Sequence, residues 1–138
     1  MKTALLIGMM ALSSSVSASS TAQVSSIVSV YDADTFRVNI DGWTDIIGKN
    51  MPIRVNGVDA AEIRGKCKKE KILAKKAREF TRDFLASSSV VELKNIKRGK
   101  YFRLIADVYG DGALLSDALI QSGLARPYHG EKRQGWCG

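Results

Sequence analysis

Gln23 to Ile40, QVSSIVSVYDADTFRVNI, is the stretch on which the architecture turns. Its first part, Gln23–Tyr31, is rich in Val, Ile and Tyr and reads as a strand. Asp32-Ala33-Asp34 breaks that run as a turn. Thr35–Ile40 then places Phe36, Val38 and Ile40 at alternate positions, the pattern of a strand with one buried face. Two strands joined by so short a turn form a hairpin, and this one carries two carboxylates at its tip. Asp41-Gly42 supplies the next turn signal.

Outward from the hairpin, Met51–Val58 (MPIRVNGV) reads as a third strand, with Ile53 and Val55 on one face and Arg54 on the other. Asp59-Ala60-Ala61-Glu62 then leaves the sheet. Lys68–Ala86 reads as a helix in which Leu73, Ala77, Phe80 and Phe84 form one apolar stripe, with Lys and Arg over the remaining faces. Val90–Ile96 and Tyr101–Tyr109 are the fourth and fifth strands, joined by Lys97-Arg98-Gly99-Lys100. Gly110-Asp111-Gly112 is a turn, Leu114–Ser122 a short helix, and Gly123 its C-terminal cap. This order predicts a β-rich α+β fold. The expected form is a five-stranded OB-type Greek-key barrel, with one long helix between strands 3 and 4 and a short C-terminal helix.

The chain has 138 residues, and its first 18 read as a secretory signal peptide. Met1-Lys2 is a positive start, Ala4–Leu12 an apolar run, and Val16-Ser17-Ala18 a small-residue cleavage pattern. Nine helical residues reach about 14 Å against roughly 30 Å of hydrocarbon, too short to span. A buried N-terminal helix is the other reading, but no amphipathic period precedes the Ser run. Cleavage after Ala18 would leave residues 19–138 as one domain, exported to the periplasm or beyond. Loss of Lys2 would take the net charge from +7 to +6. A domain of that size buries roughly two thirds of its unfolded surface, enough for one core. Composition excludes a disordered chain, a collagen, a coiled coil and a multi-domain enzyme.

Cys67 and Cys137 are the only two cysteines, and an oxidising compartment allows them to pair. The bridge would close a loop of about 70 residues, worth roughly 4 kcal/mol in the chain-entropy account. It would also tie down the Gly-rich tail. Two Cys and the single His129 do not make a four-ligand zinc site.

Charge is uneven. Residues 19–63 carry three bases and six acids, residues 64–103 fourteen and four, and residues 104–138 three and four. A basic segment of this kind is a solvated helix face, or it is half of a polyanion-processing site in which cations hold phosphates and carboxylates hold a metal. The candidate carboxylates are Asp32, Asp34, Asp59 and Glu62. Together with a backbone carbonyl and waters they would suit Ca²⁺ or Mg²⁺; as ordinary turn and cap acids they need no such role. Arg54 and Arg103 lie in otherwise apolar strands, so each needs an anionic partner or an exit to solvent. Lys100 and Tyr101 offer a cation and an aromatic face to a nucleotide. Tyr128 could add a second ring but is better explained as a core or rim tyrosine, and His129 reads as surface.

Three motifs now stand together: Tyr31-Asp32-Ala33-Asp34-Thr35, Ile53-Arg54-Val55-Asn56-Gly57-Val58-Asp59-Ala60-Ala61-Glu62, and Lys100-Tyr101-Phe102-Arg103. In these the chain resembles the staphylococcal nuclease-like (thermonuclease) family, from about Gln23 to Tyr128. The resemblance implies an OB-type barrel and a Ca²⁺-dependent phosphodiesterase acting on DNA and RNA, with 3′-phosphate products. By position, Asp34 and Asp59 would ligate Ca²⁺, the Ala60 carbonyl would join them, and Asp32 would act through water. Glu62 would orient or deprotonate the attacking water, Arg54 and Arg103 would hold the phosphate, and Lys100 and Tyr101 would touch substrate. The expected protein is a monomer with no membrane span once the leader is removed.

The chain departs from the family pattern at Ala33, where Gly is usual, at Ala60-Ala61, where Thr-Pro is frequent, and at Phe102, where Gly is common. Its tail is too short for the long third helix of the founding member. The Ala60-Ala61 change motivates the alternative of a non-catalytic OB module that binds nucleic acid or other polyanions. A structural protein of the envelope with a merely solubilising charge is the third possibility.

Overall fold

The computed structural model describes residues 20–138 together with Gly8 and Ser13; the expected signal peptide, residues 1–18, otherwise lies outside the described residues. Five strands close a barrel: β1 (Thr21–Asp32), β2 (Thr35–Ile40), β3 (Met51–Val55), β5 (Val91–Arg98) and β6 (Leu104–Gly110). The sheet order is β3-β2-β1-β5-β6, and a parallel pairing of β3 with β6 completes the ring. A closed ring leaves no long barrel edge open to another chain. The one-turn helix α1 (Asp45–Gly48) sits between β2 and β3. Between β3 and β5 come the short strand β4 (Val58–Ala60) and the long helix α2 (Lys68–Ser87). The two-residue β7 (Ala113–Leu114) extends β6, helix α3 (Leu115–Gln121) follows, and β8 (Ala125–Pro127) pairs with β4 as a separate two-stranded sheet. The predicted five-stranded barrel with a long helix after its third strand is the fold observed. Among the described residues no helix is long and apolar enough to cross a membrane.

The core fills the barrel from alternate strand positions. Phe36, Ile53, Leu93, Val38, Val55 and Val108 are fully buried, and Leu115 and Leu119 plug one end from α3. Each such side chain contributes roughly 1.5–3 kcal/mol by burial. Asn95 takes a left-handed conformation (φ 52°) where the β5–β6 register slips between Lys94 and Lys97. Asn tolerates that geometry, and the bulge bends the strand. Asp107 on β6 ties it down by accepting from Asn95 and from Asn56 after β3.

Three expectations about elements are corrected. The run Met51–Val58 is not one strand: Asn56-Gly57 turns it, with Gly57 at φ 82°, and Val58–Ala60 pairs elsewhere. Asp59 therefore leaves the barrel sheet as expected, but it lies within β4, opposite Arg126 in the separate two-stranded sheet, and not in a loop. Tyr101–Arg103 is not strand either: Tyr101 and Phe102 both have positive φ (58° and 52°), and β6 begins at Leu104. The buried line of α2 is Glu70, Ala74, Ala77, Thr81 and Leu85, while Leu73, Phe80 and Phe84 are half-buried at its margin.

Cys67 and Cys137 form a disulfide, with Cα atoms 5.9 Å apart. Cys67 is also the N-cap of α2, where its Sγ accepts from the Glu70 amide. Replacing both cysteines by Ser should lower stability by about 2–4 kcal/mol. Denaturant melts of the two proteins check this.

Asp111 accepts from the backbone amides of Ser89 and Val90, at 3.0 and 2.8 Å, and fastens the end of β6 to the start of β5. Those amides hold its carboxyl below its ordinary value of 3.8. A lowered folded-state pKa contributes stability that is present above 3.8 and is lost as pH falls through the folded-state value. Asp111→Asn should therefore lower the melting temperature at neutral pH. The gap from wild type should close on acidification below 3.8, as followed by circular dichroism.

Candidate active site

The hairpin turn is fixed from two sides before its side chains do anything. The fully buried Thr81 on α2 donates its hydroxyl to the Ala33 carbonyl at 2.8 Å, and the Val55 amide donates to the Asp34 carbonyl at 2.9 Å. Ala33 is wholly buried beneath this contact. The turn therefore holds Asp32 and Asp34 in place at the barrel rim, 7% and 5% exposed.

Arg54 reaches them from β3. Its guanidinium lies 3.0 Å from Asp34 Oδ2 and 3.9 Å from Asp59 Oδ1, and it also donates to the carbonyls of Val58 (2.8 Å) and Val55 (3.2 Å). Asp34 is further satisfied by the Ala60 amide on Oδ2 (2.9 Å) and the Thr35 hydroxyl on Oδ1 (3.1 Å). Asp32 fares differently. Its Oδ1 is buried with no hydrogen-bond partner. Burial, and then the charge of Asp34 beside it, hold its carboxyl well above the usual carboxylate range.

Asp32, Asp34, Thr35 and Arg54 line a cleft of about 430 Å³, which Glu62, Arg64, Arg103, Tyr31, Tyr128 and Arg133 complete. Arg103 enters from the β5–β6 loop. Gly99 closes that loop by donating its amide to the Arg103 carbonyl at 2.8 Å. A Cβ on Gly99 would lie 3.1 Å from Arg103 Cγ, so the glycine permits the close approach that aims this side chain. Arg103 Nε is buried and unpartnered. A buried guanidinium N–H without an acceptor is costly, and an anion in the cleft would relieve that cost.

Lys100 and Tyr101 stand on the same loop but outside the cleft lining, and Tyr101 is 89% exposed. Ala60 is placed by its amide bond to Asp34. His129 is on the surface, as expected, and Tyr128 lies at the cleft rim with its amide bonded to Gly57.

Arg133 is the residue that the sequence reading missed. It donates from Nε to Asp59 Oδ1 at 2.8 Å, and a second nitrogen lies 2.6 Å from the same oxygen. Its third nitrogen donates to Glu62 Oε1 at 2.6 Å. Desolvation works against the charge on Arg133, but the bonds to Glu62 and Asp59 outweigh it and raise its pKa further. No local pattern marks this arginine. The one available signal is the Cys67–Cys137 pairing, which brings the tail back beside Glu62.

Asp34, Asp59 and Glu62 thus each meet a guanidinium, whereas Asp32 lies beside Asp34 without one. Among the described residues no three His, Cys, Asp or Glu side chains gather as a metal site. The donor chemistry nonetheless fits a hard cation: two adjacent buried carboxylates, one with an orphaned oxygen, and a third, Asp59, across Arg54.

A closed OB-type barrel with an acid-and-arginine cleft at its rim defines a small nuclease-like domain. The profile of the family described as staphylococcal nuclease homologue matches residues 52–135, and the chain belongs to that family. No curated protein matches the chain significantly.

Thr81→Val should remove the hydroxyl beneath the hairpin turn and leave the Ala33 carbonyl buried and unbonded. The expected cost is about 1–3 kcal/mol in a urea melt, with the far-ultraviolet spectrum unchanged.

Proposed function

We propose that the protein is an exported Ca²⁺-dependent nuclease that hydrolyses DNA and RNA with little sequence specificity. The carrying observation is Arg103, half-buried at the cleft with its Nε out of water and unpartnered, and a second guanidinium, Arg54, in the same lining. Two fixed cations beside buried carboxylates suit a phosphodiester better than a neutral or cationic ligand. Family membership supports the same substrate class.

Arg54 and Arg103 bind the non-bridging phosphoryl oxygens, and their hydrogen bonds strengthen as charge grows there in the transition state. Glu62, half-exposed at the cleft, orients the attacking water and takes its proton at a carboxylate oxygen. Departure of the 5′ oxygen leaves a 3′-phosphate. Lys100 and the exposed ring of Tyr101 contact the flanking nucleotide. Asp34, Asp59 and the Ala60 carbonyl would hold Ca²⁺, with Asp32 acting through water. When bound, the ion supplies positive charge to the phosphate and favours deprotonation of water. Removal of the leader after Ala18 delivers a monomer to the periplasm or beyond, and the disulfide accords with an oxidising compartment.

One observation favours the alternative of a non-catalytic module that binds nucleic acid or other polyanions: Glu62 is engaged by Arg133. Assays of the mature chain on DNA and RNA, with Ca²⁺ and with chelator, decide between the two. A nuclease cuts both polymers, stops on chelation, and loses about a hundredfold or more in turnover on Arg103→Ala or Glu62→Ala. A binding module cuts neither under any divalent ion and keeps its affinity on Glu62→Ala.

A further inference from the structure

The tail is strapped along the very segment that carries Asp59 and Glu62. At one end β8 pairs with β4, with Arg126 opposite Asp59. At the other, Cys137 is bonded to Cys67, the residue that opens α2 just beyond Glu62. Arg133 falls between these two anchors. A clamp steadies the stretch between Arg133 and the bridge: the Arg126 guanidinium stacks 3.6 Å from the Trp136 ring centroid and donates to the Gly135 carbonyl at 2.9 Å. Residues 128–138 contain no helix or strand, so side chains rather than a backbone ladder hold them in place.

We propose that Arg133 is a tethered internal cation that competes with the divalent ion for this site. In the ion-free protein its fork bridges Asp59, a candidate ligand of that ion, and Glu62, the candidate base. The fork occupies Asp59 Oδ1 and Glu62 Oε1, so an ion and an attacking water must displace a cation already seated on these oxygens. By linkage, whatever the fork gains from Asp59 and Glu62 is subtracted from the binding of the ion. The bridge keeps Arg133 at a high effective concentration, because only residues 134–136 separate it from Cys137. The affinity of the site for its ion is therefore set by the tail as well as by the ligands. This inference rests on the calcium reading above, and its test is separable from that reading.

The measurement is calorimetric titration of Ca²⁺ into the full mature chain without substrate, with DNA cleavage assayed in parallel. Arg133→Gln should bind Ca²⁺ at least about fivefold tighter than wild type, the lower end of ordinary coupling between sites. Cys67→Ser with Cys137→Ser should fall between the two, since the fork is kept and its tether lost. Lys132→Gln, a neighbouring exposed cation, should match wild type. Structural damage would weaken binding, so a gain of affinity cannot come from a merely structural role for Arg133. Equal affinity of Arg133→Gln and wild type overturns the inference, and if wild type still cuts DNA the nuclease reading stands. An equal gain from Lys132→Gln overturns it too, because the effect would then be one of net charge. The expected order of affinities with no cleavage by any variant upholds the competition and removes the nuclease. No uptake of Ca²⁺ by any of the proteins overturns both.

Discussion

Two carboxylates buried side by side at a hairpin tip must be compensated or neutralised, and the ion pair of Arg54 with Asp34 is the compensation on which the rim is built. The pair is at 3.0 Å, with both side chains largely out of water. Placed there alone, it would repay little of its desolvation. It is not alone: Asp34 also accepts from the Ala60 amide and the Thr35 hydroxyl, and Arg54 donates to the carbonyls of Val55 and Val58. The bond to Val58 spans the Asn56-Gly57 turn, so the arginine that faces the cleft also closes the loop between β3 and β4. Structure and site share one side chain, and removing it would leave Asp32 and Asp34 without a counter-charge.

That economy explains which parts of the protein were legible from its residues. Thr35–Ile40 and the long helix were readable because a repeating face marks each of them. The Met51–Val58 run misled because apolar residues flank Asn56-Gly57 on both sides and mask its turn signal; Val58–Ala60 then pairs with a strand far along the chain. Tyr101 and Phe102 have the composition of a strand. Their left-handed backbone follows from the Gly99–Arg103 closure, which no periodicity reports. Thr81 occupies a core position that an apolar residue would ordinarily fill, because the Ala33 carbonyl needs a donor. Of the cleft lining, Asp32, Asp34, Glu62, Arg54 and Arg103 are residues that type and spacing single out in the sequence. Arg133 was not, because it meets Asp59 across 74 positions of sequence through a strap that only the tertiary structure defines.

The distribution of charge takes on a spatial sense once the barrel is closed. The basic segment 64–103 covers α2, β5 and the loop that ends at Arg103, whereas the acids of the hairpin and β4 are drawn into the rim. At the rim, Asp34 lies against Arg54 and Asp59 against Arg133, so these acids are paired with positive charge.

The tail shows how a short chain end can cover a site without regular structure. After α3 only the three residues of β8 belong to a strand, and Tyr128–Gly138 follow as irregular chain. Such a segment cannot satisfy its own backbone and would ordinarily fray. Here a covalent bridge, a stacked Arg126–Trp136 pair and the fork of Arg133 each fasten one point of it. The bridge is permanent under oxidising conditions, whereas the fork is a set of charge-assisted hydrogen bonds in partly exposed surroundings, open to exchange with ions in solution. A strap built in this way keeps its position while its charged contact is given up, and a helix packed over the same cleft could not do so without unpacking.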